Sequence, residues 1–560
     1  MRRPLTLLSR LRGRPPANSR HLLLPFQGAP REVQRKMFDT RISIRLFSVC
    51  LGLLLSGNIA WAEPNAGVGP ASPKSDVSGQ HGKTGKNEEA KHLAAAIPDA
   101  EHRPIRTKHT VMIAGQQVSY VAEAGMLPLL NSDGTSRASV FFVAYIKQAE
   151  KSMDRRPVTF CFNGGPGSSS VWLHLGALGP RRVNLSDKNA AQPAAFGLTD
   201  NEFSILPVTD LVFIDPVATG YSRPAGTSKA QQFLGEAPDI ESVGEFVRLW
   251  TTRQGRWLSP KYVCGESYGV FRAAGLAHCL RSSYGMSLSG LIFVSGAVDF
   301  IALSGDVGRQ VFLPAYTAVA HFHHKLPPDL QADLPKALVE ARTFMRTQYA
   351  SALFRGASLT ASERALVAAK LSRLTGLPAP VVEDNNLRID TSMFRKELLR
   401  GRGLILGRFD GRITGRDADA GSRYPEFDPS FSAIDGAFAA AMNAYVRGEL
   451  KFEDDLPYEI LNHAGPWSFG PRNASAGNVA QQFASEMNAN PRLRVLVLNG
   501  RCDLACPVDC IRYNFDHLLL NPTARGNITY AEYAGGHMMY VDPPALRQMQ
   551  NDLEQFIGSR

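Results

Sequence analysis

"YVCGESYGVFRAAGLA" spans residues 262–277. A short apolar run ends in Gly265-Glu266-Ser267-Tyr268-Gly269, and a stretch of small residues with helical character follows. The pentapeptide fits G-x-S-x-G, which has a mechanical meaning where a strand meets a helix. The turn is so sharp that its flanks must be small, and it projects the serine hydroxyl outward. In a chain with 49 Gly the match also arises by chance, and the plain alternative is a serine in a polar turn. A serine hydroxyl becomes a useful nucleophile only with a base, an acid and an oxyanion site. The rest of the chain has to supply them.

Working outward, six continuous apolar runs each end in a Gly, Asp or Cys cluster: "PVTFCFNGGPG", "DLVFIDPVATG", "KYVCGESYG", "GLIFVSGA", "LRVLVLNGRCD" and "ITYAEYAGGH". Short buried runs alternating with helical stretches predict a mostly parallel sheet with helices on both faces. "HTVMIAGQQVSYVAEAG" and "RASVFFVAYIKQ" alternate instead, which predicts antiparallel strands ahead of it. Between about 305 and 485 the pattern turns helical, as in "TASERALVAAKLSRLTG", and strand rhythm resumes only at Leu493. The expectation is one α/β catalytic domain over 101–560 with a helical cap inserted at about 305–485, shaping a pocket above the strand ends.

In such sheets chemistry gathers at the carboxyl ends of strands. Asp503 follows "LRVLVLNG" and His537 follows "ITYAEYAGG". The chain order Ser267, Asp503, His537 is that of an α/β-hydrolase triad. His537 would take the Ser267 proton and return it to the leaving group, while Asp503 fixes the imidazole tautomer. Taken singly, Asp503 could be a loop cap and His537 a satisfied loop histidine; three placements at strand ends in one workable order favour the triad. Asn163-Gly164-Gly165-Pro166-Gly167 is a loop without side-chain bulk, able to aim an N–H at a developing alkoxide, and the Tyr268 N–H would be the second donor. No Lys-Ser/Thr follows that loop, which argues against a phosphate cradle.

"NGGPGSSS", "GESYG", "NGRCDLACP" and "GGHMMYVDPP", with "FIDPVATGYSRP", stand in the order and spacing of the signature blocks of a known family. The chain resembles the serine carboxypeptidases of the α/β-hydrolase class, as a bacterial-type member, over approximately residues 105–555. The resemblance implies Ser267, Asp503 and His537 as the triad and the N–H groups of Gly165 and Tyr268 as the oxyanion hole. It also implies Asn163 and Glu266 as partners of a peptide's free C-terminal carboxylate, with residues removed one at a time from the C-terminus at acidic pH. Two positions depart from the pattern. Ser168 stands where a Cys is usual, and Ala177 stands where a second acid would share a proton with Glu266. Without that like-charged partner, Glu266 is expected to keep a lower pKa, so preference for free C-termini should fade at lower pH than in relatives with both acids. His174, on the same segment, could compensate by offering a cation. An esterase or acyltransferase with the same triad, and a non-catalytic peptide-binding protein, are the rival functions.

The formal charge of +11 is concentrated at the N-terminus. Residues 1–36 carry +8 and 37–62 carry +1, leaving +2 for everything beyond. A nucleic-acid partner is therefore not expected. "RISIRLFSVCLGLLLSGNIAWAEPN" pairs Arg41 and Arg45 with an apolar run too short to span a bilayer and a small-x-small signal at Ala60-Trp61-Ala62. It predicts a signal peptide within a 1–62 leader, translation starting at Met37, and export to periplasm or exterior without stable membrane insertion. An organelle-targeting leader is the rival for the Arg-rich 1–36. Residues 63–100, rich in Gly, Pro, Ser and Lys, predict a disordered linker. Six cysteines beyond the leader are compatible with disulfides whose pairing the spacing does not reveal. Cys502, Cys506 and Cys510 would align on a helix, and His321, His323 and His324 cluster, but neither group has the companion ligands of a metal site. No metal and no cofactor is expected; the substrate would be a peptide or small acyl compound.

Overall fold

The computed structural model describes residues 103–148, 155–185, 197–462, 465–469 and 477–559. The leader, its Met37 start, its signal segment and the linker lie outside these residues. Three strands come first, β1 (Ile105–Ile113), β2 (Gln116–Leu130) and β3 (Ser136–Lys147), and form an antiparallel meander. The six apolar runs become β4 (Val158–Phe162), β5 (Asp210–Ile214), β6 (Lys261–Glu266), β7 (Gly290–Val294), β8 (Arg494–Gly500) and β9 (Ile528–Tyr533). Their order in the sheet is β1-β2-β3-β5-β4-β6-β7-β8-β9, and every neighbour from β5 to β9 is parallel. Chain order reverses at β4 and β5, and the serine turn follows the central strand β6. This is the α/β-hydrolase arrangement.

The runs are apolar throughout because both faces of the sheet are covered. Side chains alternate across a strand, so Phe160, Val263, Phe293 and Val497 enter one core while Cys161, Cys264, Ile292 and Leu496 enter the other. Helices α1 (Glu236–Arg253) and α2 (Tyr268–Tyr284) bury their apolar faces in the first core. Helix α3 (Asp435–Gly448) does so in the second. Helix α4 (Ala480–Ala489) joins α1 and α2, and α5 (Pro543–Gly558) closes the opposite face beside α3. Each fully buried Leu, Val or Phe contributes roughly 1.5–3 kcal/mol of transfer free energy.

The inserted region differs from expectation in extent. A separate core built on residues 297–406, with Cys502, Leu504 and Cys510 packed into it, forms the helical insertion. Helix α3, expected inside the cap, and α4, which crosses its expected end, belong to the sheet's own layers. Phe438 and Met442 face one side of the sheet; Phe483 and Met487 face the other. Their amphipathic periods look alike in sequence, and the partner face distinguishes them. All six cysteines among the described residues are free thiols, so the compatibility with disulfides is not realised. Cys502 and Cys506 precede the helix Val508–Asp516 that carries Cys510, so the three do not align on one helix face.

Candidate active site

Ser267 sits between the end of β6 and the first turn of α2 with φ +60° and ψ −125°. A non-glycine residue in this region stores on the order of 1–3 kcal/mol of strain, held here by the surrounding bonds. Its N–H donates to the Val294 carbonyl at 2.9 Å and its own carbonyl accepts the Val270 N–H at 2.9 Å. The Asn163–Gly167 loop at the end of β4 packs directly on this turn. A Cβ at Gly164 would lie 2.7 Å from the Glu266 carbonyl oxygen and collide with the Tyr268 nitrogen, and one at Gly265 would run into the Gly269 carbonyl. Only glycine permits such backbone approach. The approach puts Tyr268 N–H, which as the first residue of α2 has no intrahelical acceptor, beside the Gly-rich loop. Among the described residues neither that N–H nor that of Gly165 donates to a protein acceptor, consistent with both being available to an oxyanion.

Asp503, three residues past β8, is fully buried. Its Oδ1 accepts the N–H groups of Ala505 at 2.7 Å and Cys506 at 2.9 Å, and its Oδ2 pairs with His537 Nδ1 at 2.8 Å. Nε2 is therefore the ring nitrogen left for proton transfer. Burial acts to lower the His537 pKa, but the Asp503 charge and hydrogen bond, with Glu266, outweigh it and leave the imidazole above its ordinary value. The Ser267 hydroxyl lies within hydrogen-bonding reach of the Cys506 thiol and makes no hydrogen bond to His537 in this structure. Such pairs often tighten only once substrate is bound.

Glu266 is 2% exposed and Asn163 1%. Asn163 Oδ1 accepts the Leu173 N–H at 3.0 Å, which fixes the amide. Burial pushes the Glu266 carboxyl up to about 7; His537, Tyr540 and Asn163 act against this, and Asp503 with it. The expected lower pKa is thereby corrected. Like-charge coupling to a second acid is not needed where desolvation alone penalises the carboxylate. Ala177 is buried in the π-helical turn His174–Leu178. His174 does not offer a cation: it stacks on Phe213 at 4.3 Å, its Nε2 meets the Tyr145 hydroxyl at 2.5 Å, and burial lowers its pKa to about 3.

Sequence reasoning missed two residues. Phe409, from the loop after the inserted region's core, stacks on the His537 ring at 5.0 Å and 13°, and its carbonyl accepts the His537 N–H at 2.5 Å. Tyr540 donates its phenol to Glu266 Oε2 at 2.6 Å. Neither lies in a pattern that names a role, although Tyr540 is three residues from His537. His323, in the histidine cluster, pairs through Nε2 with the Gly411 carbonyl at 2.8 Å.

Residues 115–283 match the serine carboxypeptidase family model. The match takes in the Gly-rich loop and the serine turn. A pheromone-processing carboxypeptidase of Yarrowia lipolytica is 30% identical over 172 residues, 30% of this chain and 26% of that protein. Serine carboxypeptidase-like 19 of Arabidopsis thaliana is 27% identical over 156 residues, 28% of this chain and 32% of that protein. The chain thus aligns with about a quarter to a third of the length of these curated relatives. The crystal structure of a Saccharomyces cerevisiae prohormone-processing carboxypeptidase superposes with a TM-score of 0.49 at 16% identity, covering 78% of this chain and 91% of that one.

Proposed function

We propose that this protein is a serine-type carboxypeptidase that releases C-terminal residues from peptides through an acyl-enzyme on Ser267. The observation that carries this reading is the buried Glu266 carboxyl, held protonated up to about pH 7 one residue before the nucleophile. A neutral acid there can donate a hydrogen bond to a substrate carboxylate, alongside the Asn163 amide. Ser267 Oγ would attack the last peptide carbonyl as its proton passes to His537 Nε2, with the oxyanion received by the Gly165 and Tyr268 N–H groups. His537 then protonates the departing amino acid, and later activates the water that cleaves the ester. The family match over the serine turn supports the same chemistry.

Two measurements test it. A digest of mixed peptides read by mass spectrometry is expected to give ladders shortened from the C-terminus; ester cleavage without ladders would transfer the triad to esterase or acyltransferase chemistry. Ser267→Ala is expected to abolish acyl transfer while keeping the fold, leaving a residual on the order of 10³–10⁴-fold over the uncatalysed rate. Activity near the parent's would overturn the nucleophile assignment; a parent that neither turns over substrate nor reacts with a fluorophosphonate would leave peptide binding as the function.

We further infer an exported protein whose mature chain begins at about Glu63, supported by the apolar run and small-x-small signal. The relatives described above come from a plant and yeasts. Among the described residues no helix is long and apolar enough to cross a membrane. N-terminal sequencing of protein recovered outside the cytoplasm tests the start; an intact leader on active protein would refute this route.

A further inference from the structure

Glu266 has one side-chain partner at short range, and it is a phenol. Tyr540 lies on a 3₁₀ turn, Met539–Val541, three residues beyond His537, and is fully buried. Its ring runs along the π-helical turn that carries Ala177: a Cβ at Gly176 would be 2.7 Å from Tyr540 Cε2. The hydroxyl thereby reaches Glu266 Oε2 at 2.6 Å from a position 274 residues away in sequence. Burial and the Glu266 charge hold the phenol well above its ordinary pKa, so it stays a donor. The Asn163 amide nitrogen, on a side chain 1% exposed, lies alongside both groups and interacts with each, without a close, well-aligned hydrogen bond of its own.

We propose that Tyr540 is a positioning residue for carboxylate recognition: by donating to Oε2 it turns Glu266 so that the other oxygen carries the acid proton toward the substrate's C-terminal carboxylate. The inference rests on the carboxypeptidase reading and deepens it. One carboxyl and one phenol do the work of a proton-sharing pair. While Tyr540 donates to Oε2, the proton of neutral Glu266 is left to Oε1, and the Asn163 N–H₂ adds a second donor. The groups facing this pair are Cys264 on the same strand, Asp503 and Cys506 after β8, and His537 after β9, with Arg408 of the inserted region facing His537 and Cys506.

The test compares kcat/KM for a blocked dipeptide acid and its matching ester from pH 4 to 8, in the full-length parent and in Tyr540→Phe. Loss of an oriented hydrogen bond to an ionisable group is expected to lower the acid-to-ester ratio about ten-fold, chiefly through KM for the acid. The phenol's bond stabilises ionised Glu266, so its loss raises the Glu266 pKa, and the alkaline limb of the acid profile should move up. Adding Ala177→Glu to Tyr540→Phe should restore part of the ratio by supplying a proton-sharing partner. An unchanged ratio, or equal loss on both substrates with no movement of the alkaline limb, overturns the proposal. Should the Phe protein be unstable, the infrared band of protonated Glu266 in the parent, identified by its loss in Glu266→Gln, takes its place. A hydrogen-bonded frequency supports the assignment, and a free-acid frequency overturns it. Failure of the carboxypeptidase reading looks different: the parent itself would favour the ester at every pH.

Discussion

His537 and Glu266 set opposite demands on the same solution. In the proposed mechanism His537 must be neutral to accept the Ser267 proton, and its pKa is raised: burial lowers it, but Asp503 and Glu266 more than compensate. For the proposed carboxylate recognition Glu266 must be protonated, and burial extends that condition to about pH 7. Ester turnover, which needs only the base, is therefore expected to rise with pH along a limb above the ordinary imidazole value of 6.5. Turnover of free acids should rise with it and then fall near neutrality, where Glu266 ionises, giving a bell. In Asp503→Asn the raising charge is gone, so the ester limb should move to lower pH while kcat drops by about 10⁴ as the tautomer is lost. An ester limb unmoved by Asp503→Asn would remove Asp503 from the triad.

Two elements hold the site's backbone, the serine turn and the first turns of α2. Arg272, 1% exposed, donates to Asp239 Oδ2 on α1 at 2.7 Å and to the Asn163 carbonyl at 2.6 Å, with its guanidinium over the Phe162 and Tyr268 rings. It thus ties two helices to the loop that presents Asn163 and Gly165. Burial raises the Asp239 pKa and Arg272 opposes that, so Arg272→Met would strand a buried carboxyl. Chemical denaturation is expected to show a loss of about 3–5 kcal/mol, largely recovered in Arg272→Met/Asp239→Leu. Gly265→Ala tests the turn itself, because the added methyl collides with the Gly269 carbonyl. Activity should fall far more than stability, since relief of the clash moves Ser267. A fully active Gly265→Ala would mean that the turn tolerates a Cβ there.

For the whole molecule, buried acids tie stability to pH. Asp215, at the carboxyl end of β5, accepts the Ser170 N–H at 2.8 Å, and burial pushes its pKa up to about 7 from 3.8. The folded state then binds more protons than the unfolded chain between those values, so this contribution is complete below about pH 4 and is lost as pH rises to about 7. Glu266 acts in the same direction, and His174, whose folded pKa is lowered to about 3, acts in the opposite one. Asp215→Asn keeps the acceptor for Ser170 and removes the titration. Its Tm should decline less between pH 4 and 7 than the parent's; a parallel decline would show that Asp215 titrates normally.

What the sequence determined by itself was local or periodic. Continuous apolar runs predict strands because both sheet faces are covered, and Gly265 and Gly269 around Ser267 predict a turn because no other residue fits it. Asp503 and His537 were legible because each directly follows such a run, and chain order then selected the fold. The tertiary structure decided what depends on long-range contact. The division of helices between the insertion and the sheet turned on which core received Phe438 and Phe483. Phe409 against His537 and Tyr540 against Glu266 are pairings that no spacing encodes. The Glu266 pKa belongs to the same class: it comes first from desolvation, a property of everything packed around the carboxyl, and the loss of one acid at position 177 does not determine it.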